Sequence, residues 1–126
     1  MSRNKAAGRV TGIGGLFFRA NDPEALKAWY ATHLGFPTDQ PVWMQEGGPT
    51  VFEPFAFKSD YFPLDKQHML NLRVEGLDAL VARLEKSGLA VERRADWDGD
   101  GSYGRFARIV DPEGNPIELW EPPAAG

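Results

Sequence analysis

The 126-residue chain has no cysteine and only two histidines, His33 and His68. The missing thiols exclude disulfide scaffolds, thiolate zinc sites, thiol catalysis and iron–sulfur clusters. Long apolar runs are missing too: Leu16–Phe18 and Leu89–Val91 fall far short of the roughly 18 residues that a membrane-spanning helix needs. No apolar run follows the charged start, Met1 to Gly8, so no signal peptide is expected and the expected location is cytoplasmic. Basic clusters are absent, and 14 Lys and Arg stand against 18 Asp and Glu, a formal net charge of −4. That balance argues against nucleic acid as the main partner. What is present is ordinary for one globular domain: 42% hydrophobic and 25% charged residues, enough to build a core at this length.

The chain repeats its own pattern. Arg19-Ala-Asn-Asp-Pro-Glu-Ala-Leu26 is echoed 54 residues later by Arg73-Val-Glu-Gly-Leu-Asp-Ala-Leu80. Each segment follows a short apolar run and leads into a helical pattern that stops at glycine, Gly35 or Gly88. In the first helix Asp22 suits the cap, Pro23 the first turn and Gly35 the end. Leu26, Trp29, Tyr30 and Leu34 form its apolar stripe. In the second, Leu77, Leu80, Val81 and Leu84 recur at helical spacing. Strands are expected at Val42–Gln45, Thr50–Phe57, Leu89–Arg94, Arg105–Val110 and Pro116–Glu121, with Asp111-Pro-Glu-Gly-Asn115 as a hairpin turn. The fold class expected is therefore α+β, in two halves that are each marginal alone and must share a core. The boundaries expected are a tail at 1–9, modules at 10–57 and 68–122 joined through Lys58–Gln67, and a tail at 123–126.

Strand alternation separates two faces. Leu16, Phe18 and Ala20, and their repeat partners Leu70, Leu72 and Val74, are all apolar and suit packing on the helices. Gly15, Phe17 and Arg19, with Met69, Asn71 and Arg73, make the opposite face, mixed in the way a ligand cleft requires. In the last strand Ile117 and Leu119 point at the helices, which leaves Glu118 and Trp120 on the cleft side.

The segments Gly12-Ile-Gly-Gly-Leu-Phe-Phe-Arg-Ala-Asn-Asp22, Trp29-Tyr30 and Leu34-Gly-Phe36, with the ending Asp111-Pro-Glu-Gly-Asn-Pro-Ile-Glu-Leu-Trp-Glu-Pro122, resemble the glyoxalase/bleomycin-resistance/dioxygenase proteins, the vicinal oxygen chelate superfamily. The resemblance runs from about Val10 to Pro122. It implies paired βαβββ modules forming a cupped mixed sheet, often as a homodimer. It also implies a divalent metal, held by His and Glu, that chelates neighbouring substrate oxygens as a Lewis acid. Here the first-strand ligand positions are Gly15 and Met69, neither a usual ligand. The later-strand positions fall on Glu118 and, with a one-residue slip, Glu53. The metal site implied is therefore degraded.

Two functions remain open on these residues. One is a lyase-type enzyme in which Glu118 is base or residual ligand and Phe17, Met69, Asn71 and Trp120 shape the pocket. The other is metal-independent drug sequestration of the bleomycin-resistance kind, for which net acidity suits a cationic aromatic ligand. In either case the partner is a small molecule. Arg19 and Arg73, related by the repeat, are candidates to bracket an anionic group. Asp96-Trp-Asp-Gly-Asp-Gly101 begins like a calcium loop, but the twelfth position is Ala107, so turn chemistry is the reading.

Overall fold

The computed structural model describes residues 8–124. Most of the expected tails, residues 1–7 and 125–126, lie outside the described residues. The elements are α1 (Pro23–Leu34), β1 (Leu70–Arg73), α2 (Leu77–Lys86), the single turn α3 (Ala95–Asp98), β2 (Arg105–Val110) and β3 (Pro116–Glu121). The three strands form one mixed sheet in the order β1-β3-β2. β1 runs parallel to β3, pairing Asn71 with Glu118 and Arg73 with Trp120. β2 runs antiparallel to β3, pairing Arg108 with Glu118 and Phe106 with Trp120. A mixed sheet with helices on one face is the α+β class that the sequence predicts.

Both helices begin and end where the sequence marks them. The Asp22 side chain accepts from the Ala25 N–H at 3.1 Å, Pro23 opens the first turn, and Gly35 closes α1 in the left-handed conformation (φ 71°). That backbone region is inexpensive only for glycine. At the start of α2, Glu121 accepts from the Gly76 and Leu77 N–H groups and so places a carboxylate at the positive end of the helix. Leu26 and Tyr30 of α1 and Leu77, Val81 and Leu84 of α2 are buried against Ala107, Ile109, Ile117 and Leu119. Each large aliphatic side chain in that layer contributes roughly 1.5–3 kcal/mol through area removed from water. Leu70, Leu72 and Val74 pack against the same layer, as alternation predicts.

The hairpin turn fastens α1 to the sheet. Gly114 N–H donates to the Asp111 carbonyl at 3.0 Å and Asp111 N–H to the Asn115 carbonyl at 3.0 Å. The Asp111 carboxylate is 4% exposed. It accepts from the Glu113 and Asn115 N–H groups, the Asn115 amide and, at 2.7 Å, the Tyr30 hydroxyl. Burial first, and then the Asp111 hydrogen bond and charge, push the Tyr30 hydroxyl well above the ordinary tyrosine range. Glu113 reaches the start of α1, accepting from the N–H groups of Asn21 and Asp22.

The first half differs from the expectation. Among the described residues, Leu16–Ala20, Val42–Gln45 and Thr50–Phe57 form no strand, and Leu89–Arg94 contributes only the bridge between Glu92 and Arg108. A strand needs a ladder beside it, and none runs along these segments. Pro49 and Pro54 lack the N–H that a central ladder needs, and Gly47-Gly48 weakens extended pairing. Phe17 and Phe57 are 99% and 96% exposed. β1 in turn is paired on one side only.

Two outcomes follow. Tyr30→Phe removes a buried hydrogen bond to a charged acceptor and is expected to cost about 1.5–3 kcal/mol, seen as a lower urea midpoint at unchanged slope. On the surface, Asp78 accepts from Arg105 and Arg93, which in that order pull its carboxyl down to about 2 from 3.8. A depressed acid stabilises the fold fully above its unfolded value and loses that contribution as pH falls toward its folded value. Melting temperature should therefore drop between about pH 4 and pH 2, and Asp78→Asn should flatten that part of the profile.

Candidate functional site

The face of the sheet turned away from the helices carries a row of polar side chains, one per strand: Asn71 on β1, Glu118 on β3 and Arg108 on β2. Pairing sets them side by side. The pleat puts Glu118 opposite Ile117 and Leu119, so the same strand that completes the core carries a carboxylate on its other side. Glu118 is only 7% exposed. Its Oε1 accepts from the Asn71 amide at 2.7 Å and its Oε2 from the Tyr61 hydroxyl. Both partners are neutral, so the carboxylate is satisfied without an ion pair.

Tyr61 and Trp97 cover the row. Tyr61 comes from the connector between the halves and Trp97 from α3, and their rings are 6.4 Å apart, edge to face. The Arg108 guanidinium lies in the corner between them, 5.0 Å from the Tyr61 ring centroid and 4.9 Å from that of Trp97, which is cation–π distance. Its Nε and Nη2 are buried and have no hydrogen-bond partner. Burial, then the hydrogen bond to Glu118 and that group's charge, push the Tyr61 hydroxyl far above the usual tyrosine range, against the opposing pull of Arg108.

A cavity of about 2500 Å³ opens on Asn71 and Glu118 of this row, though not on Arg108, and runs along the first half of the chain as far as α1 and α2. Drug-sized pockets are roughly 300–1,000 Å³, so the cavity is a wide cup. It has room for a large ligand or for further protein. Its apolar wall includes Phe52, Phe55 and Trp120. Five of its lining residues are Lys or Arg and four are Glu. The net acidity of the chain is therefore not reproduced at this surface.

The structure brings most of the predicted residues to the cup: Gly15, Glu53, Met69, Asn71, Arg73, Glu118 and Trp120 all line it. Phe17 and Arg19 do not. Alternation turns Leu16, Phe18 and Ala20 to the cavity instead, because the first segment has no ladder to hold the opposite face inward. Arg73 donates to the carbonyls of Glu46 at 2.7 Å and Pro49 at 2.8 Å, so its guanidinium fastens the first half to β1. The Trp120 indole N–H donates to the Tyr103 carbonyl at 2.7 Å, and Gly104 beside it leaves no room for a Cβ, which would meet the Glu121 carbonyl at 2.2 Å. His68 is an exposed residue lining the cup, and His33 packs tilted against Trp29, ring centroids 5.2 Å apart.

A divalent metal does not fit the side chains present. Gly15 offers no donor, Met69 offers a soft thioether, and both Glu118 oxygens already take hydrogen bonds. Among the described residues no group of three or more His, Asp or Glu side chains comes together that could hold a metal ion.

Sequence reasoning missed Arg108, Tyr61 and Trp97. Arg108 was within reach, because counting outward from the turn Asp111–Asn115 pairs position 108 with 118. Tyr61 carried no such signal: it lies 57 residues from its partner, in a segment without periodicity.

A small mixed sheet, helices on one face and a cup with a buried carboxylate on the other define a glyoxalase-like protein of the vicinal oxygen chelate superfamily. The chain belongs to the glyoxalase-like domain family, whose model matches residues 15–120. Among solved structures it is similar to TnmS3, an antibiotic-binding protein from Streptomyces sp. CB03234. The TM-score is 0.56 and the identity 23%, over 90% of this chain and 98% of that one. No curated protein matches.

Glu118→Gln keeps an acceptor for Tyr61 but removes the negative charge. The ionisation of Tyr61, followed by ultraviolet difference absorbance, should move down toward the ordinary range and remain above it, because burial is the larger cause.

Proposed function

We propose that this protein binds an aromatic, antibiotic-like small molecule in the cup and holds it without chemical change, with Glu118 as the central polar anchor. The observation that carries this reading is the state of Glu118. It is buried on the cup wall with one hydrogen bond to each oxygen, from Tyr61 and Asn71. A carboxylate so satisfied is an orienting group for a ligand hydroxyl or amine. The aromatic wall and the TnmS3 neighbour support the same class of ligand. Met69, Asn71 and Trp120 shape the pocket in this reading, with Arg73 at its edge and Glu53 on the far wall.

The cup is completed when the first half closes as a second βαβββ module, either in the same chain or against a second copy in a homodimer. The exposed area supports such closure: 9854 Å² against about 6,700 Å² for a compact chain of this mass. Val42, Val51 and Phe52 are among the apolar side chains left in solvent, and an apolar surface of that extent marks an interface or a ligand groove.

The test is a titration with a panel of aromatic antibiotics, bleomycin among them, followed by tryptophan fluorescence and melting temperature. At about 100 times its Kd, a true ligand should add roughly 2.7 kcal/mol of stability. Chromatography should recover it unaltered, and Glu118→Ala should weaken binding at least about tenfold, in keeping with loss of a buried polar contact. A chemically altered ligand would favour the lyase reading, and no binding across the panel would overturn both.

A further inference from the structure

We propose that the ligand of the cup carries a carboxylate, or an equally planar two-oxygen group, and that the free edge of Arg108 clamps it. The proposal rests on the small-molecule reading above and specifies the ligand's chemistry. It begins from the two orphaned donors. Nε and Nη2 of Arg108 are both buried and both without a partner. They are the two nitrogens whose N–H bonds point the same way along one side of the planar guanidinium, with a spacing that matches two carboxylate oxygens. A single orphan could be a packing accident. Two orphans on the one edge built for bidentate recognition match a planar two-oxygen group in shape.

The surroundings support an anion at this edge. A buried charged donor without an acceptor is a costly arrangement that native folds rarely keep without a reason. The cation–π contacts to Tyr61 and Trp97 hold the charge in place but leave Nε and Nη2 without an acceptor. The carboxylate next to Arg108 in the sheet, Glu118, accepts from Tyr61 and Asn71 and forms no ion pair with it. Arg108 thus stands on the middle of β2 with its Nε and Nη2 edge unbonded.

Access runs past Tyr61. Tyr61 lines the cup, whereas Trp97 does not and Arg108 borders a second, smaller pocket with Pro63 and Glu92, so the Tyr61 ring, 5.0 Å from the guanidinium, links the cup to it. The ring belongs to a connector without helix or strand, and Trp97 to a single helical turn. The cover is therefore carried by irregular backbone, while the donor beneath it is fixed on the sheet. A planar acid enters by turning Tyr61 off Glu118. It then takes Nε and Nη2, and the two aromatic rings are left to pack against its body. A cationic ligand, which the chain's net charge of −4 would favour, gains nothing from this edge.

The experiment uses the 15N-labelled full chain with three simple probes of one shape: benzoate, benzamide and benzylammonium. Binding is read from the Arg108 Nε–H and Trp97 indole N–H resonances, with the Trp120 indole reporting on the rest of the cup. Benzoate should bind at least tenfold more tightly than benzamide and shift the Arg108 resonance directly. Arg108→Gln should bring benzoate to the level of benzamide. Arg108→Lys, which keeps the charge but loses the two-pronged edge, should recover only part of the preference. Spectra and melting curves of both variants check that they fold, and Arg108→Lys keeps the test alive if Arg108→Gln does not. Equal binding of benzoate and benzamide, or a preference that survives in Arg108→Gln, would overturn the proposal. If benzamide or benzylammonium shifts Trp120 more strongly than benzoate does, the carboxylate clamp fails while the small-molecule reading stands. If none of the three shifts any of these resonances the clamp also fails, and the antibiotic titration alone decides the broader reading.

Discussion

The contact between Tyr30 and Asp111 joins the two halves of the chain. Asp111 begins the turn between β2 and β3, and its carboxylate organises that turn from within through the Glu113 and Asn115 amides. The one donor that comes from far away is the Tyr30 hydroxyl, 81 residues earlier. Through it the middle of α1 is bonded to the hairpin, and through Glu113 the start of α1 is held as well. A buried carboxylate is tolerable only when its oxygens are satisfied. The Tyr30 bond to Asp111 therefore adds a directional tie to the apolar packing of Leu26 and Tyr30 that holds the first helix on the sheet.

The same hairpin builds the cup. Because side chains alternate across a strand, the residues that seal the core, Ala107, Ile109, Ile117 and Leu119, fix by default which residues face the other way. Those are Phe106 and Arg108 on β2, and Glu118 and Trp120 on β3. Core packing and site geometry are thus two readings of one register. The helices set the position of the site without contributing a side chain to its central row. Tyr61 and Trp97 are laid over that row from segments with little structure of their own. The fixed part of the site is polar, and its movable part is aromatic.

This division explains what could be read from the sequence. α1, α2, the Asp111–Asn115 turn and the strands of the second half have local causes: a cap at Asp22, glycine stops, helical or alternating apolar spacing. Each of these formed as read except Leu89–Arg94, which keeps only the bridge between Glu92 and Arg108. Glu118 and Asn71 were legible because alternation places them. The strands expected at Leu16–Ala20, Val42–Gln45 and Thr50–Phe57 have the right composition, but composition does not supply a ladder partner, and none stands beside them among the described residues. Tyr61 acts across 57 residues from an irregular segment and Trp97 from a single helical turn, too short for a periodicity to be read. The net charge pointed to a cationic ligand, yet the wall of the cup carries more basic than acidic residues, because a chain-wide sum says nothing about where charges gather.

The tight turn from Asp111 to Asn115 has a consequence for how this chain can change over generations. One residue inserted between Val110 and Pro116 would shift β3 against β2 by half a pleat repeat. Glu118 would then point into the aliphatic layer, and Leu119 would point at Arg108. Such a change would damage folding and recognition together, so length variation at this turn should be nearly lethal to the lineage. The loop from Gly99 to Ser102 also joins ordered elements, but no opposing row depends on its length. Insertions and deletions in descendants should therefore collect in that loop and leave the hairpin turn at constant length, while the amino acids within the cup vary from one descendant to another.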